Sequence, residues 1–314
     1  MNNTIESYFK KVIYNDDKNF AIIMYSDWKV KKVKDIGYQH VFTDGTKSYV
    51  PFDQTYQFLL INVLLNTGQT TTCISALVKG SNQKIYESIL SYANHIIDMK
   101  DKQIHTDFER ALMNAVCKIS PHVNLCHFHF ARNLQDKVRD LQRKYKKKIS
   151  KKLYEYGKIL MFVPPQYIPY HRKYMNHLGG KSMNNKRFLE YLDRTYIEKR
   201  YNDVLYQKHS KFMTNNIAES VNGQLSKFFY MKPRKYEWID FLIFNEKRII
   251  HSSRKVDIKT GEYQLDEYDK FIIKLQKKKF SYQGYRRYMR KNEKPKGVKN
   301  NMRKDRRYFR RPRS

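Results

Sequence analysis

The stretch YQFLLINVLLNTGQTTTCISALV, residues 56–78, constrains what this 314-residue chain can fold into more than any other. YQFLLINVLL (56–65) and TTCISALV (71–78) are short apolar runs with the turn-like NTGQ between them, so they read as two neighbouring strands. Upstream, HVFTDG (40–45) reads as another short strand ending at an Asp-Gly turn signal. Three strands this close together form an antiparallel meander.

The pattern then changes period. SNQKIYESILSYANHIID (81–98) carries apolar residues at 85, 89, 92, 93, 96 and 97, the stripe of a helix. QIHT is a fourth strand of the core, FERALMNAVCKI (108–119) a second helix and VNLCHF (123–128) a fifth strand. The order β-β-β-α-β-α-β predicts an α/β fold with a mixed sheet, the meander being extended by crossover helices. Beyond it, apolar residues from Leu134 to Leu160 step by three or four. They predict one long amphipathic helix from Phe130, roughly 45 Å at 1.5 Å per residue. VPP at 163–165 stops it. Further helices are expected around 184–207, at 214–229 and at about 236–250. The first 35 residues are lysine-rich, with one strand at Phe20–Tyr25.

Charge varies sharply along the chain. The formal net charge is +33, which points to a polyanionic partner, nucleic acid first and an anionic membrane surface second. Residues 39–130 carry seven Lys/Arg and seven Asp/Glu, whereas 131–213 carry 21 against seven and 284–314 carry 14 against two. A neutral segment inside a basic chain suits a site that holds carboxylates while its surroundings hold phosphates. No apolar run approaches the roughly 20 residues of a membrane span, and the first residues, MNNTIESYFKK, lack the apolar stretch of a secretory signal. Three cysteines without a CxxC predict a reduced compartment and no disulfide framework.

Three acids and a CxxH are the candidate site residues, each with a plainer explanation beside it. Asp44 precedes Gly45 and could be a turn aspartate. Asp107 follows the fourth strand of the core, where Thr106 and Glu109 could form a capping box. The sheet order nevertheless sets the first and fourth of these strands side by side, bringing Asp44 and Asp107 together. Two close carboxylates repel each other unless a cation lies between them. Glu219 could cap its helix with Asn216, but it also stands off the apolar stripe of Ile217, Val221, Leu225 and Phe228. Cys126 and His129 lack a second pair at zinc-finger spacing, so a buried Cys and a satisfied His are the simpler reading.

Together, FTDGTKSYVP, IHTDFERALMNAV, LCHFHFARNL and TNNIAESVNGQL resemble the transposase domain of Mutator-like elements, over roughly residues 40–230. The resemblance implies a ribonuclease-H-like fold with a DDE triad, a CxxH motif and a helical insertion before the Glu. Carried over residue by residue, the triad falls on Asp44, Asp107 and Glu219, and the CxxH on Cys126 and His129. Mg²⁺ or Mn²⁺ held by the three acids is implied, with metal-dependent DNA cleavage and strand transfer as the activity. The expected division is a short basic segment (1–38), the first part of the core (39–130), a helical insertion (131–213), the Glu-bearing part of the core (214–252) and a basic tail (253–314). DNA, both transposon ends and target, is the expected partner, with a homo-oligomer forming on it in the nucleus. The alternative is a truncated or domesticated, catalytically silent DNA-binding descendant, and a basic RNA-binding protein is the more distant one.

Overall fold

The apolar runs at 56–65 and 71–78 form the middle of a mixed sheet. The computed structural model describes residues 8–47, 50–53, 55–198, 206, 233–246 and 281–291. Among them, seven strands run β1 (Phe9–Asp16), β2 (Asn19–Met24), β3 (Tyr38–Thr46), β4 (Tyr56–Leu65), β5 (Thr70–Lys79), β6 (Gln103–Thr106) and β7 (Val123–Leu125). Their spatial order is β1-β2-β5-β4-β3-β6-β7. The meander β3-β4-β5 is antiparallel, as are β5-β2 and β2-β1, while β3, β6 and β7 run parallel.

Helices cover both faces of this sheet. On one lie α1 (Asp27–Ile36), α2 (Gln83–Ile97) and α3 (Arg110–Ile119), whose Val30, Val33, Ile85, Ile89, Leu112 and Val116 pack with Val41, Leu59, Ile61 and Val63. On the other, Trp238, Phe241 and Leu242 of α8 (Lys235–Glu246) pack with Met24, Phe58, Leu60 and Leu77. The Trp238 ring meets Phe58 edge-on at 5.2 Å. Coverage on both sides explains why β4 is apolar at nearly every position rather than at alternate ones. Each fully buried Leu or Ile there stabilises the fold by about 1.5–3 kcal/mol.

Residues 9–36 depart from the sequence-based expectation of a single strand. They supply two strands and a helix. The side chains of β1 are mostly exposed, as befits the edge of the sheet, and its short run Val12-Ile13-Tyr14, flanked by polar and charged residues, does not mark a strand. Helix α1 buries only Lys29, Val30 and Val33, too few for a visible stripe, and its ends are fixed by Ser26, which accepts from the Lys29 N–H, and by Gly37 at φ 79°. The strand expected at 123–128 stops at Leu125, and a helix begins at His127.

The described residues divide into two compact units: 8–129 with 233–246, and 130–198 with 206 and 281–291. The second unit is helical, with α4 (His127–Tyr145) leading into it, then α5 (Lys151–Ile159), α6 (Ile168–Gly179), α7 (Met183–Leu192) and α9 (Tyr282–Lys291). The single long helix expected from Phe130 to Leu160 is in fact two, α4 and α5. Lys146 turns left-handed at φ 52°, and Ser150 starts the next helix by accepting from the Leu153 N–H. Arg143, Lys144, Lys146, Lys147 and Lys148 would stack like charges at helical spacing, and Ser150 offers a ready cap, so the chain breaks between them. Gly157 of α5 lets Leu134 and Phe188 approach, since a Cβ there would stand 3.4 Å from the Phe188 ring.

A buried histidine ties α9 to α5 and α6. His171 Nε2 lies 3.0 Å from the Tyr156 carbonyl, which can only accept, so Nε2 carries the proton. His171 Nδ1 then accepts from the Tyr285 hydroxyl at 2.6 Å, and the Tyr156 hydroxyl donates to the Met289 carbonyl at 3.0 Å. Burial pushes the His171 pKa down to about 4. The folded unit therefore keeps His171 neutral, while the unfolded chain protonates it below about 6.5. Stability should be complete above that pH and fall by about 1.4 kcal/mol per unit toward pH 4, because the unfolded state binds the extra proton. Urea denaturation between pH 7 and 5 checks this, with His171→Gln flattening the dependence.

Candidate active site

Strands β3 and β6 are paired in parallel register, His40 with Gln103, Val41 with Ile104 and Phe42 with His105. Carried two residues further, that register sets Asp44 level with Asp107, on strands about 4.8 Å apart. The level continues into β7, where Thr106 pairs with Leu125 and the Cys126 N–H donates to the Thr106 carbonyl at 3.0 Å. Asp44, Asp107 and Cys126 thus stand at the carboxyl ends of three neighbouring parallel strands, where open α/β sheets bind their ligands.

Alternation along the strands puts Asp44 on the face of His40 and Phe42, and Asp107 on that of His105. Below the acids, the Phe42 and His105 rings stack at 4.3 Å and 12°, and His40 Nδ1 lies 3.1 Å from His105 Nε2. Burial, and secondarily His40, pushes the His105 pKa down to about 3. Its imidazole is neutral at physiological pH.

Asp44 is only 6% exposed, within β3, and Asp107 is half-buried just past β6. Asp107 Oδ1 accepts the Glu109 N–H at 2.9 Å, an Asx turn that leads into α3. The capping box expected from Thr106 and Glu109 does not form. Thr106 is held in β6 by its pairing with Leu125, and its hydroxyl has no partner among the described residues. Glu109 instead accepts from the Tyr86 hydroxyl of α2 at 2.7 Å. Burial raises the pKa of Asp107, against the pull of the Glu109 N–H. It raises Glu109 as well; the Tyr86 hydroxyl and Lys47 oppose that rise, and Asp107 adds to it. Buried acids in this state are what a bound cation would hold as anions.

Glu219 and the expected helix 214–229 lie outside the described residues. Among the described residues, no three His, Cys, Asp or Glu side chains are grouped to hold a metal ion. Cys126 is buried at the start of α4, and His129, in its first turn, sets its ring edge-on to Phe128 at 5.7 Å. The motif therefore sits at a strand-to-helix junction beside Asp107.

The family model described as the MULE transposase domain matches residues 41–133. Over this segment the chain is similar to the transposase domain of Mutator-like elements. The MULE segment runs from β3 into α4 and contains Asp44, Asp107, Cys126 and His129. Glu219 lies beyond it. No curated protein matches the chain.

Sequence reasoning missed the polar group behind the aspartates, formed by Glu109, Tyr86 and Gln57. A signal was present: Gln57 interrupts an apolar strand, and Tyr86 lies on a helix beside the apolar stripe. Buried polar side chains need partners, so each pointed to another.

Proposed function

We propose that this chain is a metal-dependent DNA transposase of the Mutator-like class, with Asp44, Asp107 and Glu219 as its acidic triad. The register that brings Asp44 level with Asp107, inside the MULE segment, carries the reading. An antiparallel meander extended by parallel strands, with helices on both faces, is consistent with a ribonuclease-H-like core. The donors are hard carboxylate oxygens, and burial disfavours the charge of Asp107 unless a cation is present, so Asp44 and Asp107 fit Mg²⁺ or Mn²⁺. When bound between such acids, these ions activate water and stabilise the attacking and leaving oxygens of a phosphodiester. The chain's own residues supply position: β3 fixes Asp44, the Glu109 N–H orients Asp107, and the Phe42–His105 stack closes the site from below. Hydrolytic nicking followed by attack of the freed 3′-OH on target DNA is the proposed reaction.

The proposed partner is DNA in the nucleus, held by paired copies of the chain. In the helical unit Lys144, Lys147, Lys148, Lys151 and Lys152 are exposed and can contact phosphates, as can Arg139 and Arg143 beside their ion pairs with Asp136 and Asp140. No helix among the described residues is long and apolar enough to cross a membrane. Residues 292–314, outside the described ones, carry ten Lys/Arg against two acids. Deleting them should weaken binding to all DNA sequences alike. It should also flatten the dependence of log K on log salt by about 0.9 for every phosphate that the tail neutralises. Sequence-selective loss would show that this tail reads bases.

The reading is tested by nicking of DNA that carries the element's ends, with Mg²⁺ or Mn²⁺ and with the metal chelated. Metal-dependent nicks are expected. Tight DNA binding without nicking under any divalent metal would make the chain a silent descendant.

A further inference from the structure

A buried polar chain reaches the aspartates from the opposite side of the sheet. Gln57 of β4 is 2% exposed, and Tyr86 of α2 is fully buried. The Gln57 side-chain amide donates to the Tyr86 hydroxyl, which donates to Glu109 Oε1 at 2.7 Å. The Glu109 N–H in turn donates to Asp107 Oδ1 at 2.9 Å. At its other end the chain touches the backbone next to Asp44. A Cβ on Gly45 would stand 3.1 Å from Gln57 Oε1, so the glycine leaves room for that amide. The two aspartates are therefore bridged by side chains that do not themselves face the reacting centre.

We infer that Tyr86 is a positioning residue: through Glu109 it holds the Asp107 turn, and through Gln57 it ties that turn to the strand bearing Asp44. This rests on the proposed role of the two aspartates as metal ligands. Glu109 accepts from Tyr86 with its carboxylate while its N–H donates to Asp107 Oδ1, so it acts on Asp107 through its backbone. Linked hydrogen bonds polarise one another, and a buried hydroxyl with both neighbours in place fixes one geometry. Side chains that orient metal-binding carboxylates in this manner change metal affinity when removed, by about 10–100-fold.

The test is Mn²⁺ binding to the full chain, read by electron paramagnetic resonance, together with amide exchange at Glu109. Tyr86→Phe removes one oxygen and no charge. It should weaken Mn²⁺ binding by about 10-fold and speed exchange of the Glu109 N–H. Tyr38→Phe is the control: it deletes the hydroxyl that donates to the Asp98 carbonyl at 3.4 Å, in the same unit but away from the acids. It should leave Mn²⁺ affinity within about twofold of the parent. If Tyr86→Phe binds Mn²⁺ as the parent does, the positioning role is overturned and the triad reading stands. An equal loss in Tyr38→Phe would also overturn it, because the cause would be general loosening. If the parent binds no Mn²⁺, the triad reading fails and takes the inference with it. Should Tyr86→Phe not fold cooperatively, Gln57→Met, also neutral, replaces it, and unchanged affinity there overturns the inference.

Discussion

Asp107→Asn should reduce metal-dependent DNA nicking to background while leaving DNA affinity nearly unchanged. The substitution keeps the size and shape of the side chain, and the Asn Oδ1 can still accept the Glu109 N–H that Asp107 Oδ1 accepts at 2.9 Å. The turn into α3 therefore survives, and folding should change little. What disappears is an anionic oxygen at the end of β6. Charge stabilisation of several kcal/mol depends on such ligands, so a fall on the order of 10³-fold or more is expected at 1.36 kcal/mol per decade. Under the proposed function, phosphates are held by Lys and Arg of the helical unit and the tail, which the change does not touch. Unchanged nicking by a folded Asp107→Asn would make Asp107 a turn residue and remove it from the proposed triad.

Phe42→Ala should cost about 3–5 kcal/mol of stability, since it removes a fully buried aromatic ring from the central sheet. Its ring stacks on His105 at 4.3 Å, directly below the level of Asp44 and Asp107. The cavity would let both strands shift, so activity should fall along with stability. Urea denaturation measures the first effect and nicking at a temperature where the variant remains folded the second. Trp28→Ala makes a suitable contrast, because that side chain is 47% exposed and should cost under about 1 kcal/mol. A loss below about 1 kcal/mol for Phe42→Ala would contradict the packing described around the acids.

The parts of the fold that sequence made legible are those where a single physical rule dominates. Nearly continuous apolar runs at 56–65 and 71–78, joined by a turn signal, read as buried strands, and crossover logic then placed β6 against β3. That adjacency brought Asp44 and Asp107 to one level from positions 63 residues apart in the chain. The edge strand β1 leaves Phe9, Val12 and Tyr14 exposed, and its short apolar run between polar and charged residues does not mark a buried strand. The break at Lys146 is a contest between apolar periodicity, which runs on unbroken to Leu160, and clustered positive charge with a serine cap. Periodicity alone hid it. Thr106 and Glu109 have the spacing of a capping box, yet strand pairing claims Thr106 and Tyr86 claims Glu109. Local motifs lose to tertiary partners in such places, and the polar chain behind the aspartates showed only as Gln57 within an apolar strand and Tyr86 beside an apolar stripe.

If Asp44, Asp107 and Glu219 share divalent metal, as proposed, a crystal grown with Mn²⁺ reveals it through anomalous scattering. A peak is expected with carboxylate oxygens of Asp44, Asp107 and Glu219 around it, at about 2.0–2.6 Å. A peak bound elsewhere, or a Glu219 carboxyl more than about 12 Å from the two aspartates, beyond the reach of any shared ion, would contradict the proposal.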